Sequence, residues 1–141
     1  MIDIQGFDHV GIRVTDIECA LDFYKQLGFF PSPEERFPEH RATGIVNRAG
    51  IRINLIEGAE KNVNNKNILI DERRKYPGVT HVAFVVDKID DVLRDMEATK
   101  IPITEGPIEI GGRRTVCFVR DPDGNVIEFN QLAEIEMTLM R

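Results

Sequence analysis

Apolar and polar residues alternate from His9 to Val14, in the order His-Val-Gly-Ile-Arg-Val. After Asp16 the spacing changes, and Ile17, Ala20, Leu21 and Tyr24 return every three or four residues. Alternation followed by a period near 3.6 predicts a strand leading into an amphipathic helix. The same switch occurs from His81 to Val86 and then, after Asp87, at Ile89, Val92, Leu93 and Met96. The two stretches superimpose when His9 is laid on His81, an offset of 72 residues (81 − 9). Residues 51–56 lie on residues 125–130 at an offset of 74, so Ile53 meets Ile127, Asn54 meets Glu128 and Leu55 meets Phe129. A two-residue difference in a loop accounts for the change of offset. The chain is therefore an internal repeat of strand, helix and about three strands, over residues 5–57 and 79–131. The expected fold class is α+β: two βαβββ modules forming a curved mixed sheet, in a single domain over residues 1–141. Between the modules, the polar stretch 62–67 reads as a loop, with room for a short helix over residues 68–75, and Pro77 with Gly78 marks the turn into the second module. The tail beyond Gln131 carries Met137, Leu139 and Met140, which suit packing on the body or on a second copy.

Side chains alternate across a strand, so the pattern also sorts the faces. Val10, Ile12 and Val14 pack under the first helix, leaving His9, Gly11 and Arg13 on the opposite face. Val82, Phe84 and Val86 pack under the second, leaving His81, Ala83 and Val85. On the last strand Ile127 and Phe129 pack inward, and Glu128 and Asn130 face away from the helix. The histidines matter because there are only three, His9, His40 and His81. A lone His at a strand start is usually a surface or hydrogen-bonded residue, and a lone Glu near a strand end is usually solvated. Here two histidines fall on equivalent repeat positions, and Glu128 falls on the matching face. His, His and Glu with open positions left over form a facial triad for a divalent transition metal. His40, in a loop-like segment without a repeat counterpart, fits a surface or a substrate-mouth role.

Composition removes other classes. The 141 residues include 30% charged and 42% hydrophobic side chains, enough for one domain with a core. A net charge of −6 argues against a nucleic-acid surface. No apolar run approaches the roughly 20 residues of a membrane span, and no signal-peptide pattern opens the chain. Two cysteines, Cys19 and Cys117, make no disulfide framework, so a reducing cytoplasm is expected. Cys117 has no general base beside it in sequence and reads as a buried structural thiol.

Three motifs carry a family resemblance: FDHVGIRVTDIECALDFYKQLGF (residues 7–29), GVTHVAFVVDKID (78–90) and FVRDPDGNVIEF (118–129). They resemble the vicinal oxygen chelate superfamily, which includes glyoxalase I, methylmalonyl-CoA epimerase, extradiol dioxygenases, and fosfomycin- and bleomycin-resistance proteins. The resemblance covers nearly the whole chain. It implies paired βαβββ modules around a metal cleft, the glyoxalase-like fold, with His9, His81 and Glu128 as ligands. It also implies a divalent ion (Fe, Mn, Ni, Zn or Co), a small-molecule substrate, and a homodimer whose site can draw residues from both copies.

The chain departs from each named branch. Glyoxalase I and its close relatives usually place a fourth ligand, Glu, where Asn54 stands, and Glu57 has the wrong parity to replace it. The region before the DPDG turn holds Arg113, Arg114 and Phe118 where extradiol dioxygenases usually carry a His and a Tyr. Glu128 is followed by FNQLAEI rather than the His-Thr-rich stretch usual in fosfomycin thiol transferases. Bleomycin-binding members lack the ligands that this chain has. The expected activity is bidentate chelation of a small oxygenated substrate, for lyase, isomerase or dioxygenase chemistry. The alternative is a metal-free small-molecule or antibiotic binding protein. Glu128 can also act as a proton-transfer base if it leaves the metal. Asn54 is expected beside the ligands. Arg13, Arg113 and Arg114 are anion-binding candidates, one of the last two aimed into the cleft by alternation, and the other reading of Arg113 and Arg114 is a solvated pair.

Overall fold

Each repeat folds as its hydrophobic pattern predicts. The computed structural model describes residues 1–140, and the chain divides into two compact units, Met1–Val63 and Asn64–Arg141. The first contains β1 (Val10–Arg13), α1 (Ile17–Gln26), β2 (Phe30–Phe37), β3 (Ala42–Val46) and β4 (Arg52–Ile56). The second contains β5 (His81–Val86), α2 (Ile89–Thr99), β6 (Glu105–Ile110), β7 (Arg114–Arg120), β8 (Val126–Gln131) and a tail helix α3 (Glu134–Met140). The sheet orders are β1-β4-β3-β2 and β5-β8-β7-β6. In each sheet the first strand runs parallel to the last, and the other pairs are antiparallel. The α+β class and both βαβββ modules are thus observed.

Burial follows the predicted parity. In the first unit Ile12, Val14, Ile45, Ile53 and Leu55 are buried with Ala20, Phe23 and Tyr24 of α1. The Tyr24 ring meets those of Phe23 and Phe29 edge to face, with centroids 5.1 and 6.4 Å away. In the second unit Phe84, Cys117, Val119, Ile127 and Phe129 are buried with Ile89 and Met96 of α2. Cys117 is a core thiol whose pKa burial pushes up. Asp16 caps α1 by accepting the backbone N–H of Cys19 at 3.0 Å. The offset of 72 lays Lys88, not Asp87, on Asp16, and no side chain of that residue caps α2. That helix starts after Lys88, and Gln131 Oε1 reaches across from β8 to accept the Ile89 N–H at 2.8 Å.

Residues 68–75 form turns, not the short helix for which the sequence left room. The cause is local. Asn67 Oδ1 accepts from the N–H groups of Leu69 and Ile70 at 3.0 and 3.2 Å, and Asp71 Oδ2 accepts from that of Asn67 at 2.8 Å. Such side-chain bonds compete with helical ones. The Asp-Pro-Asp-Gly stretch is the predicted turn between β7 and β8. Asp121, 5% exposed, accepts from the N–H groups of Asp123 and Asn125 and from Asn125 Nδ2, each at 2.9 Å. Gly124 closes it at φ +82°, where the carbonyl of Asn65 would collide with any side chain. Among the described residues no helix is long and apolar enough to cross a membrane.

Candidate functional site

The register of the parallel pairs fixes which side chains share the face away from the helices. In the second unit Ala83 lies opposite Glu128, and in the first Gly11 lies opposite Asn54. Asn54 therefore occupies the place of Glu128, as the repeat arithmetic predicts. His81 stands two residues before Ala83 on the same face, so its ring leans diagonally toward Glu128. Its Nε2 lies 3.1 Å from Glu128 Oε2. Its Nδ1 lies 2.8 Å from Thr80 Oγ1, which fixes the ring's orientation. The Phe118 ring, opposite Glu128 on β7, meets the imidazole edge to face at 6.0 Å.

Glu128 is 8% exposed. Its other oxygen, Oε1, accepts from Asn130 Nδ2 at 3.3 Å. Asn130 is equally buried, and among the described residues its Oδ1 has no hydrogen-bond partner. An unpaired buried acceptor costs free energy unless something donates to it. The sequence placed Asn130 on this face without giving it a role. The signal was available in its spacing, two residues beyond Glu128 on one strand.

His9 lies just before β1 in the other unit, and its Nδ1 is 2.5 Å from Asp8 Oδ1. That hydrogen bond holds the exposed Asp8 carboxyl below its usual pKa. Within either unit taken by itself, three such donors do not converge among the described residues. His81 and Glu128 are the pair the structure brings together. The donor types suit a divalent transition ion: a ring nitrogen and a buried carboxylate oxygen, close together on one face. The unsatisfied Asn130 oxygen beside them adds a further polar group at the same place.

The three arginine candidates are engaged elsewhere. Arg13 Nη1 donates to the Glu57 carbonyl at 3.2 Å. Arg114 shares the face of Phe118 by alternation but binds Glu136 of α3, with Nη2 to Oε1 at 2.9 Å and Nε to Oε2 at 3.3 Å. That hydrogen bond raises the arginine's pKa and lowers the Glu136 carboxyl's. Arg113 precedes β7 in the turn instead of lying on the strand, and its Nη2 is 3.7 Å from the same carboxylate. His40 ends an exposed 3-10 turn, Pro38–His40. The Asn54 Oδ1 is buried without a hydrogen-bond partner among the described residues.

A sequence profile for the glyoxalase/bleomycin resistance protein/dioxygenase superfamily matches residues 6–129. The chain belongs to this superfamily. It is 31% identical to the virulence protein STM3117 of Salmonella typhimurium over 136 residues, covering 91% of this chain and 85% of that protein. It is 28% identical to the mitochondrial methylmalonyl-CoA epimerase of Homo sapiens over 134 residues, covering 92% of this chain and 75% of the relative. Among solved structures of the superfamily, a glyoxalase/dioxygenase from Nostoc punctiforme matches with a TM-score of 0.72 at 20% identity, covering 92% of each chain. That likeness concerns the fold. The superfamily's members include enzymes and binding proteins alike, so activity must come from the site.

Proposed function

We propose that this chain is a metal-dependent enzyme that holds two neighbouring oxygens of a small oxygenated substrate on a divalent ion, for lyase, isomerase or dioxygenase chemistry. The observation that carries this reading is the His81–Glu128 pair, 3.1 Å apart with the carboxylate buried. His81 and Glu128 supply two ligands. His9 supplies the third, from the same chain or from the second copy in a homodimer. Fe, Mn, Ni, Zn and Co all suit such donors. An ion held by these residues would supply Lewis acidity.

The chain's own residues do the rest. Thr80 fixes the imidazole through Nδ1, which leaves Nε2 directed at the site. Asn130 holds one carboxylate oxygen of Glu128 and presents an unsatisfied acceptor to whatever binds there. Glu128 would move a proton at the substrate on leaving the ion. Among the three chemistries, the isomerase draws support from the likeness to the human epimerase.

Calorimetric titration of the purified chain with Mn(II) tests the reading. One ion per chain, with affinity lowered at least a hundredfold in His81→Ala, supports it. Equal binding by the wild type and His81→Ala overturns it, as does an absence of binding by the wild type. The latter result favours a metal-free binding protein that keeps the cleft.

A further inference from the structure

A cavity of about 490 Å³ opens beside His81, entirely within the second unit. Four of its lining residues, Leu69, Ile70, Lys75 and Tyr76, come from the connector between the repeats, and His81, Phe118 and Val126 come from the sheet. Neither the repeat pattern nor the metal reading gives this connector a task. It is nonetheless fastened firmly to the sheet. Asp71 accepts from both Nη atoms of the Arg120 guanidinium, at 2.6 and 2.8 Å, in a bidentate pair. That pair holds the Asp71 carboxyl well below its usual pKa. Asn67 Nδ2 donates to the Gly124 carbonyl at 3.1 Å, and Lys75 Nζ donates back to Ile70 O inside the connector. Val126 sits opposite both His81 and Arg120 in the sheet register, so the wall stands over the strand row that begins with the imidazole.

We infer that residues 67–76 form the wall that selects the body of the ligand, admitting a molecule with an aryl or branched-alkyl body. The size lies within the roughly 300–1,000 Å³ of small-molecule sites. A two- or three-carbon substrate leaves the half-buried Leu69, Ile70 and Phe118 uncovered, whereas an apolar body removes them from water. The polar end of such a ligand points to His81 and Glu128, a placement that rests on the metal reading above. The Asp71–Arg120 pair is the latch that keeps the wall on the sheet. Ile70 and Tyr76 decide how much body fits.

The test uses 8-anilinonaphthalene-1-sulfonate as an aryl probe, with EDTA present so that metal plays no part. Fluorescence titration of the wild-type chain is expected to show one saturable site. Ile70→Trp, which fills the cavity, is expected to weaken binding at least tenfold. Tyr76→Ala, at an exposed position that the fold does not need, is expected to weaken it about threefold. The cavity reading is overturned if the wild type shows no saturable site, or if both variants bind as the wild type does. Titration with Mn(II) separates the two claims. A chain that passes the probe test without holding Mn(II) keeps the wall and overturns the metal reading. A chain that holds Mn(II) while its probe binding ignores both substitutions overturns the wall alone.

Discussion

The two repeats share one scaffold and differ in what it carries. In the second unit the face away from the helix presents His81, Glu128, Asn130 and Phe118, with the imidazole and carboxylate in contact. In the first, Asn54 replaces Glu128 and Gly44 replaces Phe118, each opposite the other in register. The absence of a side chain at Gly44 leaves room for Glu35, which folds over it and pairs with Arg52. The carboxylate on that face is thus neutralised by an arginine, while the one in the second unit faces a histidine. The packing face is the same in both units, and the face away from the helix is free to diverge. Stability comes from the packing face that the repeats share, and the His81–Glu128 pair from the one position where Glu128 stands in place of Asn54.

Four changes break or sharpen this comparison. The largest effect is expected in the shared core. Ile53 and Ile127 are equivalent and both fully buried. Replacing either by Ala should cost about 2–5 kcal/mol, and by similar amounts, as read by denaturant unfolding. A cost at one site several times that at the other would show that the two cores are not equivalent.

Next comes the position that breaks the symmetry. Glu128→Asn, which makes the second unit resemble the first, should lower Mn(II) affinity at least a hundredfold while leaving the circular dichroism spectrum unchanged. Undiminished affinity would take Glu128 out of the site. Asn130→Ala should have a smaller effect of about tenfold on the same titration, in the range of residues that hold a ligand without being one. If it matches Glu128→Asn in size, Asn130 is itself a ligand.

The smallest effect is the acid dependence of the connector latch. Arg120 lowers the Asp71 carboxyl's pKa, so the pair's contribution is present above the unfolded carboxyl value near 4 and is lost as pH falls from there through the folded value. For a partly exposed pair this amounts to about 1 kcal/mol or less. The stability difference between the wild type and Asp71→Asn should therefore be constant between pH 5 and 7 and shrink below about pH 4. A difference that grows with acid would contradict the sign.

The fold was legible because its signals are local or periodic. The alternation through His9 to Val14, the helical spacing after Asp16 and the offset between His9 and His81 each follow from side-chain burial. The Asp121 turn was legible for the same reason, since its residues bond to one another. What was not legible depends on contacts distant in sequence. Nothing near Lys88 announces that Gln131 caps α2. The connector's turns depend on Asn67 and on a latch to Arg120, 49 residues beyond Asp71. Arg113 and Arg114 stayed open between anion binding and a solvated pair because their partner Glu136 lies on a helix that follows the second repeat. Asn130 was assigned to its face, but its missing hydrogen bond could appear only once the neighbours were placed.

The central claim, that His81 and Glu128 hold a metal together, is tested most directly by pulsed electron paramagnetic resonance of the Mn(II)-loaded chain. The account predicts modulation from directly bound imidazole nitrogen in the wild type, reduced in His81→Ala, and loss of the bound-ion signal in Glu128→Asn. A bound ion that shows no nitrogen coupling, or whose spectrum is the same in all three proteins, would contradict it.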